Sequence, residues 1–160
     1  MSTITADLYS LPDNRAVSAH LLSLEMTGSL SSPAVGLSAS FLCSGPPGEI
    51  ARAHVNKDGR PLFAGKVDTQ RVTFGEKGVS VHVECRSAGG VLLDNEALPH
   101  AYFNCDLKTL FSRCVAPYGF RLADSANDKT LALYTVRKGL SQWDAFCGFA
   151  ERIYGVTPWV

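Results

Sequence analysis

Val79-Ser80-Val81-His82-Val83-Glu84-Cys85 alternates strictly, with Val79, Val81, Val83 and Cys85 on one side and Ser80, His82 and Glu84 on the other. Successive side chains of an extended chain point to opposite faces, so a period of two marks a strand with one face buried and one wet. Reading outward toward the N-terminus, Arg71-Val72-Thr73-Phe74 precedes it across the turn Gly75-Glu76-Lys77-Gly78. Before that, Pro61 to Val67 reads as the return strand of a hairpin that starts at Ile50 to Val55. The Asp58-Gly59 step between them suits a tight turn, because both residues tolerate positive φ. Val35-Gly36-Leu37-Ser38-Ala39-Ser40-Phe41 alternates in the same way, ahead of the break Gly45-Pro46-Pro47-Gly48. Ala16 to Thr27 reads as one strand with Leu22, Leu24 and Met26 on a shared face. The first strand is Ile4-Thr5-Ala6-Asp7-Leu8-Tyr9-Ser10-Leu11, closed by Pro12-Asp13-Asn14.

Past Ser87 the pattern changes. Gly89-Gly90 leads into Val91-Leu92-Leu93-Asp94, and between Asp106 and Pro117 the residues Leu107, Leu110, Phe111 and Cys114 fall at helical spacing, with Asn104 or Asp106 as N-cap. Leu131 to Val136 reads as a strand and Lys138-Gly139 as a turn. A second helix opens at Ser141, with a buried stripe of Trp143, Phe146, Ala150 and Ile153 and a shortened capping box of Ser141 and Asp144. The fold class predicted is α+β: an antiparallel β-barrel or sandwich over residues 1–86, then an α+β segment over residues 87–160 carrying two amphipathic helices.

Composition bounds the function. In 160 residues, 46% hydrophobic and 19% charged, the chain has the make-up of a folded protein and the length of one or two small cores. Fifteen basic and fifteen acidic residues cancel, without long runs of either sign, so sequence-specific nucleic-acid binding is not expected and close packing into an assembly meets little repulsion. Neither a signal peptide nor a membrane span is read from the N-terminus or from the short apolar stretches.

Signals for chemistry are sparse. Cys43, Cys85, Cys105, Cys114 and Cys147 are widely separated, lack a C-x-x-C pair, and read as reduced core thiols. His20, His54, His82 and His100 have no second ligand at metal spacing. Arg86-Ser87-Ala88-Gly89-Gly90 fits neither phosphate-binding glycine pattern, no serine sits in G-x-S-x-G, and Asp94 with Glu96 reads as loop carboxylates rather than a glycosidase pair. The expectation is a protein that is not an enzyme, with no catalytic residue, no cofactor and no metal.

A family comes into view from Lys66 to Leu122. Phe63-Ala64-Gly65-Lys66-Val67, Glu84-Cys85-Arg86-Ser87, Leu92-Leu93-Asp94-Asn95, Asn104 to Leu110, and Ala116-Pro117-Tyr118-Gly119-Phe120 follow one another in an order that resembles the tail hub, or baseplate hub, proteins of long-tailed phages and contractile injection machines. The late control protein D and Mu-type baseplate hub groups are among them. Tyr134 to Asp144 is similar to a further helix opening of those proteins.

The resemblance implies a tail-tube-like barrel, a homo-oligomeric and in the particle trimeric assembly, and partners among the tail tube, the spike or tip, and the tape measure. It places the protein in the tail of a virion or phage-like particle assembled in the bacterial cytoplasm. Such hubs are longer than this chain and carry a second barrel, so the natural protein is expected to continue past the apolar ending Thr157-Pro158-Trp159-Val160, or to bury that ending on another chain. Interface residues are expected at the hairpin tips, Asp58, Gly59, Glu76 and Lys77, and at Trp159. The alternative is a peptidoglycan-binding module of lysin-motif type over residues 131–160, which Tyr134 to Gly139, Trp143 and Tyr154 to Pro158 resemble, although Gly139-Leu140-Ser141 lacks the usual acidic residue.

Overall fold

The computed structural model describes residues 2–76, 78–123 and 129–159. The chain forms two compact units, one of residues 1–28 and 34–88 and the other of residues 29–33 and 89–160. The first unit is an antiparallel sheet of seven strands: β1 (Ile4–Ser10), β2 (Arg15–Val17), β3 (Ala19–Thr27), β4 (Gly36–Cys43), β5 (Ile50–Lys57), β6 (Arg60–Gly75) and β7 (Gly78–Ser87). Their order is β2-β1-β5-β6-β7-β4-β3. β2 and β3 stand at opposite ends of that order, yet only Ser18 separates them in the chain, so the sheet curls until its two ends meet at that residue.

This curl is what the alternating pattern serves. Leu37, Ala39, Phe41 and Cys43 of β4, Ala53 and Val55 of β5, Phe63 of β6, and Val81, Val83 and Cys85 of β7 line one buried cluster, and the intervening residues face outward. The Asp58-Gly59 turn forms as read, with both residues at positive φ, +53° and +75°. β6 pairs with β5 through its first half and with β7 through its second, with Gly65 and Lys66 shared by both ladders. Gln70, which pairs with Val83, ties down the loop before β5: its carbonyl accepts from the Ile50 amide at 2.8 Å and its amide donates to the Gly48 carbonyl at 3.0 Å.

The strand expected over residues 16–27 is two strands, and its inward face is not the one expected. The register shifts between Leu21 and Ser23, so a bulge at Leu22 turns that side chain outward to 60% exposure, while Leu21 joins Leu24 and Met26 on the core. A bulge inserts one residue and flips the alternation on one side of it, and period counting does not see this. Leu21→Ser is therefore expected to cost about 2 kcal/mol and Leu22→Ser no more than about 0.5 kcal/mol. Urea melts of the two variants check this, and equal costs would rule out the bulge.

The second unit contains α1 (Gly90–Asp94), β8 (His100–Asp106), α2 (Leu107–Cys114), a 3₁₀ turn at Ala116–Tyr118, β9 (Thr130–Val136) and α3 (Gln142–Tyr154). Asp106, not Asn104, caps α2: its carboxylate accepts from the Thr109 amide at 2.7 Å. α2 stops at Cys114, earlier than the expected limit at Pro117, and Gly119 takes the left-handed conformation beyond the 3₁₀ turn. β8, which sequence reading left unassigned, pairs antiparallel with β9.

The capping box at Ser141 and Asp144 forms in both directions. Trp143, Phe146 and Ala150 of the predicted stripe are buried, but Ala145 and Phe149 are buried too and Ile153 is only partly so, which makes the covered face wider than the stripe. Tyr134 of β9 crosses this core, packs edge-on against Phe149 and donates to the Ala145 carbonyl at 2.7 Å. The order strand, helix, helix, strand of a lysin motif is not formed over the described residues 131–159: α3 is the single helix after β9, no strand follows it, and β9 takes its partner from upstream. No helix among the described residues is long and apolar enough to cross a membrane.

Candidate functional site

What the fold offers to partners is backbone edge and exposed apolar side chain. Among the described residues β3 pairs only with β4, and β2 covers β1 only from Leu8 to Ser10, so the other side of β3 and the stretch Ile4 to Asp7 have no ladder partner although β1 and β3 approach each other at the seam of the sheet. An open strand edge is a template for pairing with another chain. Exposed apolar residues accompany these edges in the first unit: Ile4 at 47% and Leu22 at 60%. In the second unit Phe103 and Leu133 are directly opposed across β8 and β9 and are exposed, as is Trp159. Trp159 also lines a cleft of about 290 Å³, together with Trp143, Phe111 and Tyr154.

Within the first unit the described residues expected at interfaces lie at two different ends of one strand. Asp58 and Gly59 sit at one end of β6 and Glu76 at the other, while Trp159 belongs to the second unit; Lys77 lies outside the described residues. Asp58 is already engaged within the chain. Its carboxylate accepts from the Thr3 amide at 2.7 Å and the Ser2 hydroxyl at 2.9 Å, and its own amide donates to the Thr3 carbonyl.

The Thr3 amide, and next the Ser2 hydroxyl, hold the Asp58 carboxyl below the ordinary aspartate range. A depressed folded-state value means that the contact stabilises above the unfolded pKa of about 3.9 and is lost as pH falls through the lower folded value. A carboxyl chemical-shift titration is expected to give Asp58 a midpoint below that of a free aspartate, and Asp58→Asn to flatten the acid limb of the stability profile. An ordinary midpoint would show the N-terminal contact to be absent in solution.

The five cysteine thiols belong to, or pack against, the two buried cores. Burial pushes the thiols of Cys85 and Cys147 up to about 12 and that of Cys114 up to about 11, and it raises Cys43 and Cys105 as well. A thiolate nucleophile or ligand needs the opposite shift. Ser40 Oγ lies 3.1 Å from His82 Nδ1, and Glu84 is 4.0 Å from Nε2. That trio sits on the outer sheet face, and Glu84 is occupied by the Thr69 hydroxyl at 2.9 Å. Glu96 of the carboxylate pair caps the 139 turn, accepting from the Gly139 amide at 2.7 Å. Among the described residues no three histidine, cysteine or carboxylate side chains converge as metal ligands.

The curled seven-stranded sheet followed by a small helical unit occurs elsewhere. The chain shares its fold with known tail proteins. A tail protein from Neisseria meningitidis MC58 superimposes with a TM-score of 0.69 at 14% identity, over 98% of this chain and 47% of that one. The 43 kDa tail protein of prophage MuSo2 from Shewanella oneidensis does so with a TM-score of 0.67 at 14% identity, over 92% of this chain and 49% of that one. At this identity the likeness is one of fold, and this chain spans about half the length of either protein. No family model matches the sequence, and no curated protein matches it significantly.

Proposed function

We propose that this chain is a non-catalytic structural component of a phage tail or phage-like contractile injection machine, acting in the hub that joins the tail tube to the tip or spike. The observation that carries the reading is the tail-protein fold, which extends over 98% of the chain rather than over a single motif. The order of short motifs from Phe63 to Phe120 supports it independently, because that order is similar to hub proteins specifically. On this reading function resides in surfaces. Unpaired backbone of β3 and β1 at the seam of the sheet is offered to neighbouring subunits, copies of the chain form a homo-oligomer that is trimeric in the particle, and tube, spike or tip and tape-measure proteins are the partners.

Electron microscopy of the high-molecular-weight fraction of producing cells, with gold-labelled antibody against this chain, tests the proposal. Label at one end of tail-like particles is the expected result. Label along the tube would keep the tail role and remove the hub, and label on cell-wall sacculi or on no large particle would overturn both.

A further inference from the structure

We propose that the outer face of β1, β5 and β6 is a docking surface for an acidic segment of a partner protein. A shallow cleft of about 590 Å³ opens there, with Leu11 and Pro12 at one side and Arg52, His54, Ala64 and Lys66 among its walls. The register sets Arg52 directly opposite Lys66, and Lys66 directly opposite Arg86, so three cations stand side by side across three adjacent strands. Like charges placed directly opposite one another on a sheet destabilise it.

One of the three is already neutralised. Arg86 grips Asp68 at two points, Nε to Oδ2 at 2.6 Å and Nη2 to Oδ1 at 3.1 Å. Arg52 and Lys66 have no carboxylate within ion-pair distance among the described residues. Of the other acidic residues on this face, Asp7 is registered against His54 and Glu84 accepts from the Thr69 hydroxyl. The cleft thus repeats, twice and unfilled, the cation whose carboxylate partner Arg86 has found on the same face.

The chemistry of the walls favours a protein occupant. Two free cations release few counterions, too few for firm binding to a nucleic-acid backbone. The apolar flank of Leu11 and Pro12, and the Tyr9 ring against His54 at 4.9 Å between centroids, suit the aliphatic stems of glutamate side chains. The inference does not depend on the tail reading, and its test involves no tail particle.

The full chain, isotope-labelled, is titrated with a hexaglutamate peptide, with hexathymidylate and with inorganic phosphate, and the amide shifts are followed. The peptide is expected to perturb Arg52, His54 and Lys66 first. Arg52→Gln and Lys66→Gln are each expected to weaken it about threefold and together about tenfold, the scale of exposed ion pairs, while Lys57→Gln leaves it unchanged. Both variants are expected to melt no lower than the parent, since each removes a repulsion. Absence of shifts at these residues, equal or tighter binding of hexathymidylate or phosphate, or a lowered melting point in both variants would each overturn the proposal, the last by showing that the cations serve the fold.

Discussion

Replacing Gly65 by alanine is expected to lower stability by about 3 kcal/mol, near the upper end for overpacking a core. Gly65 is registered with Ala53 of β5 and with Ser87 of β7, at the place where β6 passes from one neighbour to the other. A Cβ there would lie 2.6 Å from the Arg86 carbonyl oxygen and 2.7 Å from Cε1 of Phe63. The carbonyl is backbone inside a paired strand, and Phe63 is 5% exposed within the core cluster, so neither can retreat without opening a ladder or a cavity. Gly45→Ala, where a Cβ meets nothing within 4 Å, is the matched control and is expected to stay within about 0.5 kcal/mol of the parent. Urea unfolding of the two variants decides: if Gly65→Ala melts with Gly45→Ala, the Phe63 ring and the Arg86 carbonyl do not crowd that position. The same glycine lies in the Phe63-Ala64-Gly65-Lys66-Val67 stretch that resembles hub proteins, and the close approach gives a physical reason for glycine at that point.

Removing the indole of Trp143 is the second large effect, about 4 kcal/mol for Trp143→Ala. The side chain is 2% exposed, packs against Phe146, and donates from Nε1 to the Ser31 carbonyl at 2.9 Å. That hydrogen bond spans 112 residues of sequence and fastens the 29–33 segment into the second unit. Trp143→Phe keeps most of the apolar contact and removes the donor, so about 1–2 kcal/mol is expected, with faster hydrogen exchange at the Ser32 amide, which closes the turn to Ser29. Trp159→Ala, at a residue 82% exposed, is expected to change stability by less than about 0.5 kcal/mol. Calorimetry of the three variants separates the roles, and an equal loss in Trp143→Ala and Trp159→Ala would show that the segment is not anchored as described.

Most strands were legible because each carries its own signal. β4 and β7 alternate without interruption, the Asp58-Gly59 turn needs two residues tolerant of positive φ, and Ser141 with Asp144 forms the capping box its spacing suggests. β8 was not legible: Asn104 takes φ +48° inside it, and the residues before and after that kink do not keep one alternation. The bulge at Leu22 escaped for a related reason, since an inserted residue leaves no mark in composition. The candidate surfaces were legible only in part. The hairpin tips could be named, but that Asp58 spends its carboxylate on Thr3 and Ser2, and that Arg52, Lys66 and Arg86 line up, depends on which strands are neighbours.

By itself the sequence determined the local conformations: where the chain is extended, where it turns, and which face of each strand seeks a core, because side-chain period, glycine and capping chemistry act over a few residues. Only the tertiary structure decided that β2 and β3 part company at Ser18 to pair with opposite ends of one sheet, that residues 29–33 are held by Trp143, and that two unpaired cations face each other on the outer surface. Strand order and register arise from contacts between residues tens of positions apart, and those contacts are selected by the packing of the whole core and not by any short stretch within it.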